Sequence, residues 1–317
     1  MTPVRRSGSA PTRLYRGVLP AYLMLLTIAE LAVTFVSPVL VFPLHGGLIV
    51  LAAAYLAIAR HLDQAEPEDR DLTVVALALS VAPLIRIISL TLPLAQLEPP
   101  LRYVSAGIPM ALGGFLAARA AGFRVEQIGL AWRRAGWQLV AILASVGFGF
   151  LEFVILRPAA VGPLPWTSAA LLPAIGIGIF TGFPEELIFR GVLQTATRPI
   201  LGRWNWVYVS GIFAVLHIGY QSYVDMVFVF AIGLFYGWIF ERTRSIIGIS
   251  IGHGVANIVL FFVAPNIIAA AGLPTVDFAA QLTLALTSTV VLAIGGLIFW
   301  RSGTEVAAPQ PEASRAS

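Results

Sequence analysis

Apolar runs of about twenty residues, separated by short arginine-bearing junctions, constrain the fold of this chain more than any other feature. A segment of that length in a bilayer finds no water for its backbone groups, so it must satisfy them internally as a helix. Such runs lie roughly at 17–41, 43–60, 72–95, 101–119, 136–156, 167–197, 204–220, 224–241, 246–264 and 278–300. Charged residues make up 11% of the chain and hydrophobic ones 58%, where a soluble domain carries about a quarter charged. The expected fold class is therefore all-α, a polytopic transmembrane helix bundle of about 8–10 spans. Pro83, Pro93 and Pro109 interrupt the third and fourth runs. The sixth is too long to lie wholly in the bilayer, and Pro184 predicts a break there with a helix restarting at Glu185.

Arginine distribution orients the spans. Every second junction is arginine-rich, from Arg5, Arg6, Arg13 and Arg16 through Arg242 and Arg244 to Arg301, while the alternate junctions carry only Arg102 and Arg157. The positive-inside rule then places both termini in the cytoplasm, with an even number of spans. Val18 to Val41 exceeds a signal-peptide core and reads as a first span. The chain contains no lysine and no cysteine, which removes disulfides, thiolate catalysis and cysteine-ligated metals. Its pI near 9.8 reflects arginines at segment ends and not a nucleic-acid surface. The all-arginine, alanine-rich usage points to a bacterial source, hence a multi-pass protein of the cytoplasmic membrane. Tails 1–16 and 302–317 read as disordered, His61 to Asp71 as a solvated connector, and Arg124 to Trp137 as an interfacial amphipathic segment.

Ionised side chains at membrane depth persist only when paired, hydrated or functional. Phe183 to Arg190 places Glu185, Glu186 and Arg190 inside an apolar run, and His217, His253 and Asn257 sit in two later ones. At 1.5 Å of rise per residue, Glu185 and His217 lie about 18 and 20 Å from the cytoplasmic ends of their helices, and His253 and Asn257 about 10 and 16 Å. Three helices thus bring polar groups to a similar level. Glu186 and Arg190 are spaced i, i+4 and pair on one face, whereas Glu185, rotated about 100° away, has no partner on its own helix. His253 and Asn257 share a face by the same spacing. Arg86 and Glu30 fall at matching depth and are expected to pair between the first and third spans, as structure; Glu152 and Asp225 are expected near the outer interface, solvated.

These residues resemble the signatures of the CAAX-protease and bacteriocin-processing (CPBP, or ABI) family of intramembrane proteases. Glu185-Glu186-Leu187-Ile188-Phe189-Arg190 matches EExxxR, Phe213 to His217 matches FxxxH, and His253 to Asn257 matches HxxxN, over about 167–264. The resemblance implies peptide-bond hydrolysis of a membrane-associated or lipidated protein or peptide. Glu185 and His217 would activate water, His253 and Asn257 would stabilise the oxyanion, and Glu186 and Arg190 would support the site. Gly233/Gly237 and Gly248/Gly252 supply GxxxG spacings for close helix approach. Metal use stays open: Glu185, His217 and His253 could form a zinc triad, yet HExxH is absent and metal-independent chemistry is favoured, with no cofactor required. The expected organisation is a basic tail at 1–16, a transmembrane extension of about four spans at 17–135, a CPBP-like core at 136–301, and a tail at 302–317. Expected partners are the bilayer and a peptide or protein substrate, with oligomeric state undetermined. From other classes come a secondary transporter, suited to broken helices and midplane charges, and a non-catalytic scaffold or immunity protein of the same fold.

Overall fold

The computed structural model describes residues 11–63 and 70–270, all of whose regular structure is helical. The run 278–300 and the C-terminal tail lie outside the described residues. The elements are α1 (Pro11–Phe35), α2 (Val41–Asp63), α3 (Arg70–Leu79), α4 (Val81–Thr91), α5 (Pro99–Ala120), α6 (Ala135–Leu156), α7 (Leu171–Glu186), α8 (Thr195–Leu201), α9 (Asn205–Val215), α10 (Tyr223–Thr243), α11 (Ile247–Ile258) and α12 (Ala264–Ala270). α1 begins within the stretch expected to be a disordered tail. Among the described residues eight helical stretches are long and apolar enough to cross a membrane, and the longest, Leu171–Tyr220, holds two of the expected runs because Gly202 (φ +53°) turns the chain between α8 and α9. The protein is a multi-pass membrane protein built as an all-α bundle.

Prolines inside these helices do not break them where the freed carbonyl finds another neighbour. Pro83 lacks the N–H that would bond Leu79, and the Leu79 carbonyl instead accepts the Tyr22 hydroxyl from α1 at 2.6 Å. Pro184 was expected to interrupt its helix, but α7 runs through it to Glu186. The Phe180 carbonyl that Pro184 leaves unbonded packs against Gly107 of α5, where any Cβ would collide with it. The irregularity appears one turn later, as π-helix over Leu187–Gln194 and then α8. π-Turns inside α-helices occur mostly at functional sites.

Glycine sets the contacts of the C-terminal half. α11 lies between α6 and α7, with Gly248 and Gly252 against Gln138 and Ser145 on one side and Gly254 against Gly178 and Gly182 on the other. Gly233 and Gly237 of α10 meet Ser210 and Trp206 of α9. Both GxxxG spacings read from the sequence therefore sit at helix contacts, and Gly178/Gly182 adds a third. Arg124 to Arg134 is turn and irregular chain that buries Ile128, with the Gly129 carbonyl accepting the Ile246 N–H at 2.9 Å, and α6 starts only at Ala135. Asp225 is not solvated as expected but wholly buried in the first turn of α10, where the unpaired amides of a helix start favour a carboxylate.

Candidate active site

The two adjacent acids separate as their spacing predicts. Glu186 is fully buried, and its Oε1 accepts from Arg190 Nη1 at 2.9 Å one turn along the same helix. Arg190, 1% exposed, also donates to the Gly233 carbonyl at 3.2 Å and rests over the ring of Phe213, 4.9 Å from its centroid, with Tyr236 at 5.7 Å. A guanidinium taken out of water is thus met by one carboxylate, one carbonyl and aromatic faces. Glu185 points elsewhere. Its side chain is 25% exposed and lines a cavity of about 330 Å³ shared with Thr181, Phe213 and His217.

His253 joins the two acids. Its Nδ1 lies 2.9 Å from Glu186 Oε1, and its Nε2 lies 3.7 Å from Glu185 Oε2. The Tyr236 ring stacks on it at 6.0 Å, and the Tyr236 hydroxyl pairs with Ser145 of α6 at 2.7 Å. One turn on, Asn257 Nδ2 donates to Thr181 Oγ1 at 2.7 Å, so α11 is tied to α7 both above and below the glycine crossing.

His217 sits where α9 tightens. Its backbone N–H bonds the Ala214 carbonyl three residues back, which leaves the Phe213 carbonyl for the ring, and Nδ1 lies 2.8 Å from it. A carbonyl only accepts, so Nδ1 carries the proton and Nε2 presents its lone pair. Phe213 stands between the two histidines, with ring centroids 4.7 Å from His217 and 6.2 Å from His253. All six sequence-selected residues therefore belong to one connected cluster around the Arg190 guanidinium and the cavity. Among the described residues no group of three or more His, Cys, Asp or Glu side chains is gathered to hold a metal ion.

Thr181 and Tyr236 contact these residues without having been singled out by sequence. Thr181 lies i−4 to Glu185 and so on the same face, a spacing that could have found it; Tyr236 has no comparable sign. The far wall of the cavity comes from the N-terminal helices, through Arg86 of α4 and Arg102, Tyr103 and Gly107 of α5. A second, apolar furrow of about 480 Å³ runs along the α7–α11 contact, lined by Ile179, Phe183, Ile251, Val255 and Ile258.

Comparison with known proteins adds one match. No curated protein and no solved structure matches the chain. Residues 165–259, which contain all six motif residues, match the family model described as Type II CAAX prenyl endopeptidase Rce1-like.

Proposed function

We propose that this protein is an intramembrane endopeptidase that hydrolyses a peptide bond of a membrane-associated or lipidated substrate, with Glu185 as general base. The observation that carries the reading is the unequal fate of neighbouring carboxylates: Glu186 is buried and bonded to Arg190 and His253, while Glu185 faces the cavity it shares with His217. A water held between Glu185 and the His217 Nε2 lone pair would attack the scissile carbonyl carbon as its proton passes to Glu185. Negative charge then develops on the carbonyl oxygen. The second amide N–H of Asn257, beyond the one given to Thr181, and His253 Nε2 when it carries a proton are donors for that oxygen. Collapse breaks the C–N bond, and Glu185 returns its proton to the leaving amine. Glu186 and Arg190 hold the helix and the His253 ring in register.

In this reading 17–135 is the extension and 136–301 the peptidase core, embedded in a bacterial cytoplasmic membrane with both termini inside. Against a transporter, α7 runs through Pro184 without the break that the sequence suggested there. Purified protein in lipid nanodiscs, incubated with a peptide library and read by mass spectrometry, should cleave defined bonds. Glu185→Gln and Glu185→Ala should lower the rate by about 10²–10⁴-fold. Cleavage that persists undiminished in both variants would overturn the assignment, and an unchanged cellular phenotype with Glu185→Gln would favour the scaffold.

A further inference from the structure

The segment matched by the family model does not close its own site. His217 lies just past the end of α9, where helix geometry leaves carbonyls without partners. The Leu216 carbonyl is one of these, because the Tyr220 N–H that a continuing helix would offer bonds His217 instead. Its partner comes from far away in sequence: Arg86 Nη2 of α4 donates to it. The guanidinium also lies against Gly219 in the same turn, where an added Cβ would stand 3.4 Å from Nη1.

Arg86 is itself fixed. Its Nε donates to Glu30 Oε1 at 2.8 Å and its Nη2 reaches Glu30 Oε2 at 2.6 Å, a two-point grip on a carboxylate that is completely buried in α1. His45 of α2, also completely buried, places Nε2 3.6 Å from the same carboxylate. Arg86 is 14% exposed and opens onto the cavity that holds Glu185 and His217. A chain of contacts from three N-terminal helices thus ends, through Arg86, on a single backbone carbonyl one residue before the imidazole. A bidentate, planar cation is the group that can grip a carboxylate and a carbonyl at once; an ammonium cannot reproduce that geometry.

We infer that Arg86, anchored by Glu30, is a positioning residue that clamps the turn after α9 and so aims His217 into the cavity. Its consequence for turnover rests on the peptidase reading; the clamp itself does not. Residues 17–135 are then part of the active-site machinery. Arg86→Lys keeps the charge but loses the two-sided grip, and the pair Glu30→Gln with Arg86→Gln keeps the interior neutral, which guards against misfolding from an unpaired charge. Each protein is treated with diethyl pyrocarbonate in nanodiscs, and labelling of each histidine is followed by mass spectrometry. Labelling of His217 should accelerate severalfold in both variants, with that of His253 unchanged. On the best-cleaved library peptide, kcat should fall by about tenfold or more while KM stays within about threefold. Unaltered labelling of His217 in both variants, or equal acceleration at His217 and His253, would overturn the clamp. Labelling that responds as expected in a protein that cleaves nothing would sustain the clamp and sink the peptidase reading.

Discussion

Substituting Gly182 by alanine probes the contact on which the site's geometry depends. A Cβ at Gly182 would stand 2.6 Å from the Gly254 backbone nitrogen and 3.2 Å from its Cα, and closer still to the Ser250 carbonyl. These are backbone atoms of α11 and have no rotamer to escape into. Ordinary contact begins at 3.4 Å, so relieving the Gly254 nitrogen alone requires α7 and α11 to part by about 0.8 Å at this level (3.4 − 2.6), and the Ser250 carbonyl requires slightly more. That displacement takes the 2.7 Å bond between Asn257 and Thr181 to about 3.5 Å, the edge of hydrogen bonding. It also carries His253 away from Glu185. Overpacking of this kind costs about 1–3 kcal/mol of stability. A misplacement near 1 Å at reacting groups costs about 10²-fold in rate, equivalent to about 2.7 kcal/mol. Cleavage kinetics and thermal unfolding in nanodiscs read both quantities. Gly176→Ala is the control, since its Cβ would meet only Val104 Cγ2 at 3.5 Å. A Gly182→Ala protein with wild-type kcat and unfolding temperature would refute the proposition that this crossing sets the catalytic spacing.

Glu186→Gln should destabilise the protein by about 3–5 kcal/mol in denaturant unfolding, because it leaves the buried Arg190 guanidinium without its counter-charge. Thr181→Val, nearly isosteric, removes the acceptor of the Asn257 amide and should cost about 1–3 kcal/mol, measured by thermal unfolding, with kcat reduced and KM little changed.

Much of this was legible before any coordinates. The Glu186–Arg190 pair followed from i, i+4 spacing, and the Glu30–Arg86 pair from equal depth in two apolar runs. The division between a bound and an available acid followed from helical rotation. What failed is instructive. The proline rule at Pro184 considered only its own helix, whereas the freed Phe180 carbonyl is accommodated by Gly107 of another. The π-turns at Leu187–Gln194 leave no mark in composition, since the cost of wide turns is offset only by neighbours such as Gly233 and Gly237, which accept bonds from Arg190 and Gln194. The role of Arg86 at the His217 turn was hidden because periodicity reports which residues share a face, not which distant helix that face meets. Asp225 was misplaced for a related reason: depth along a helix does not reveal whether a helix start faces lipid, water or protein.

The furrow between α7 and α11 opens where Ile175, Ile179 and Ile251 are 44%, 52% and 46% exposed. Inside a bilayer, acyl chains fill such a gap along the contact of α7 and α11, the helices that carry Glu185 and His253. The polarisability of that filling, and how far it admits stray water, enters the local dielectric that sets the strength of every charge interaction there. In the peptidase reading the surrounding amphiphiles are part of the reaction medium, and swapping native-like lipid for a short detergent alters that medium as a change of solvent alters one in a flask.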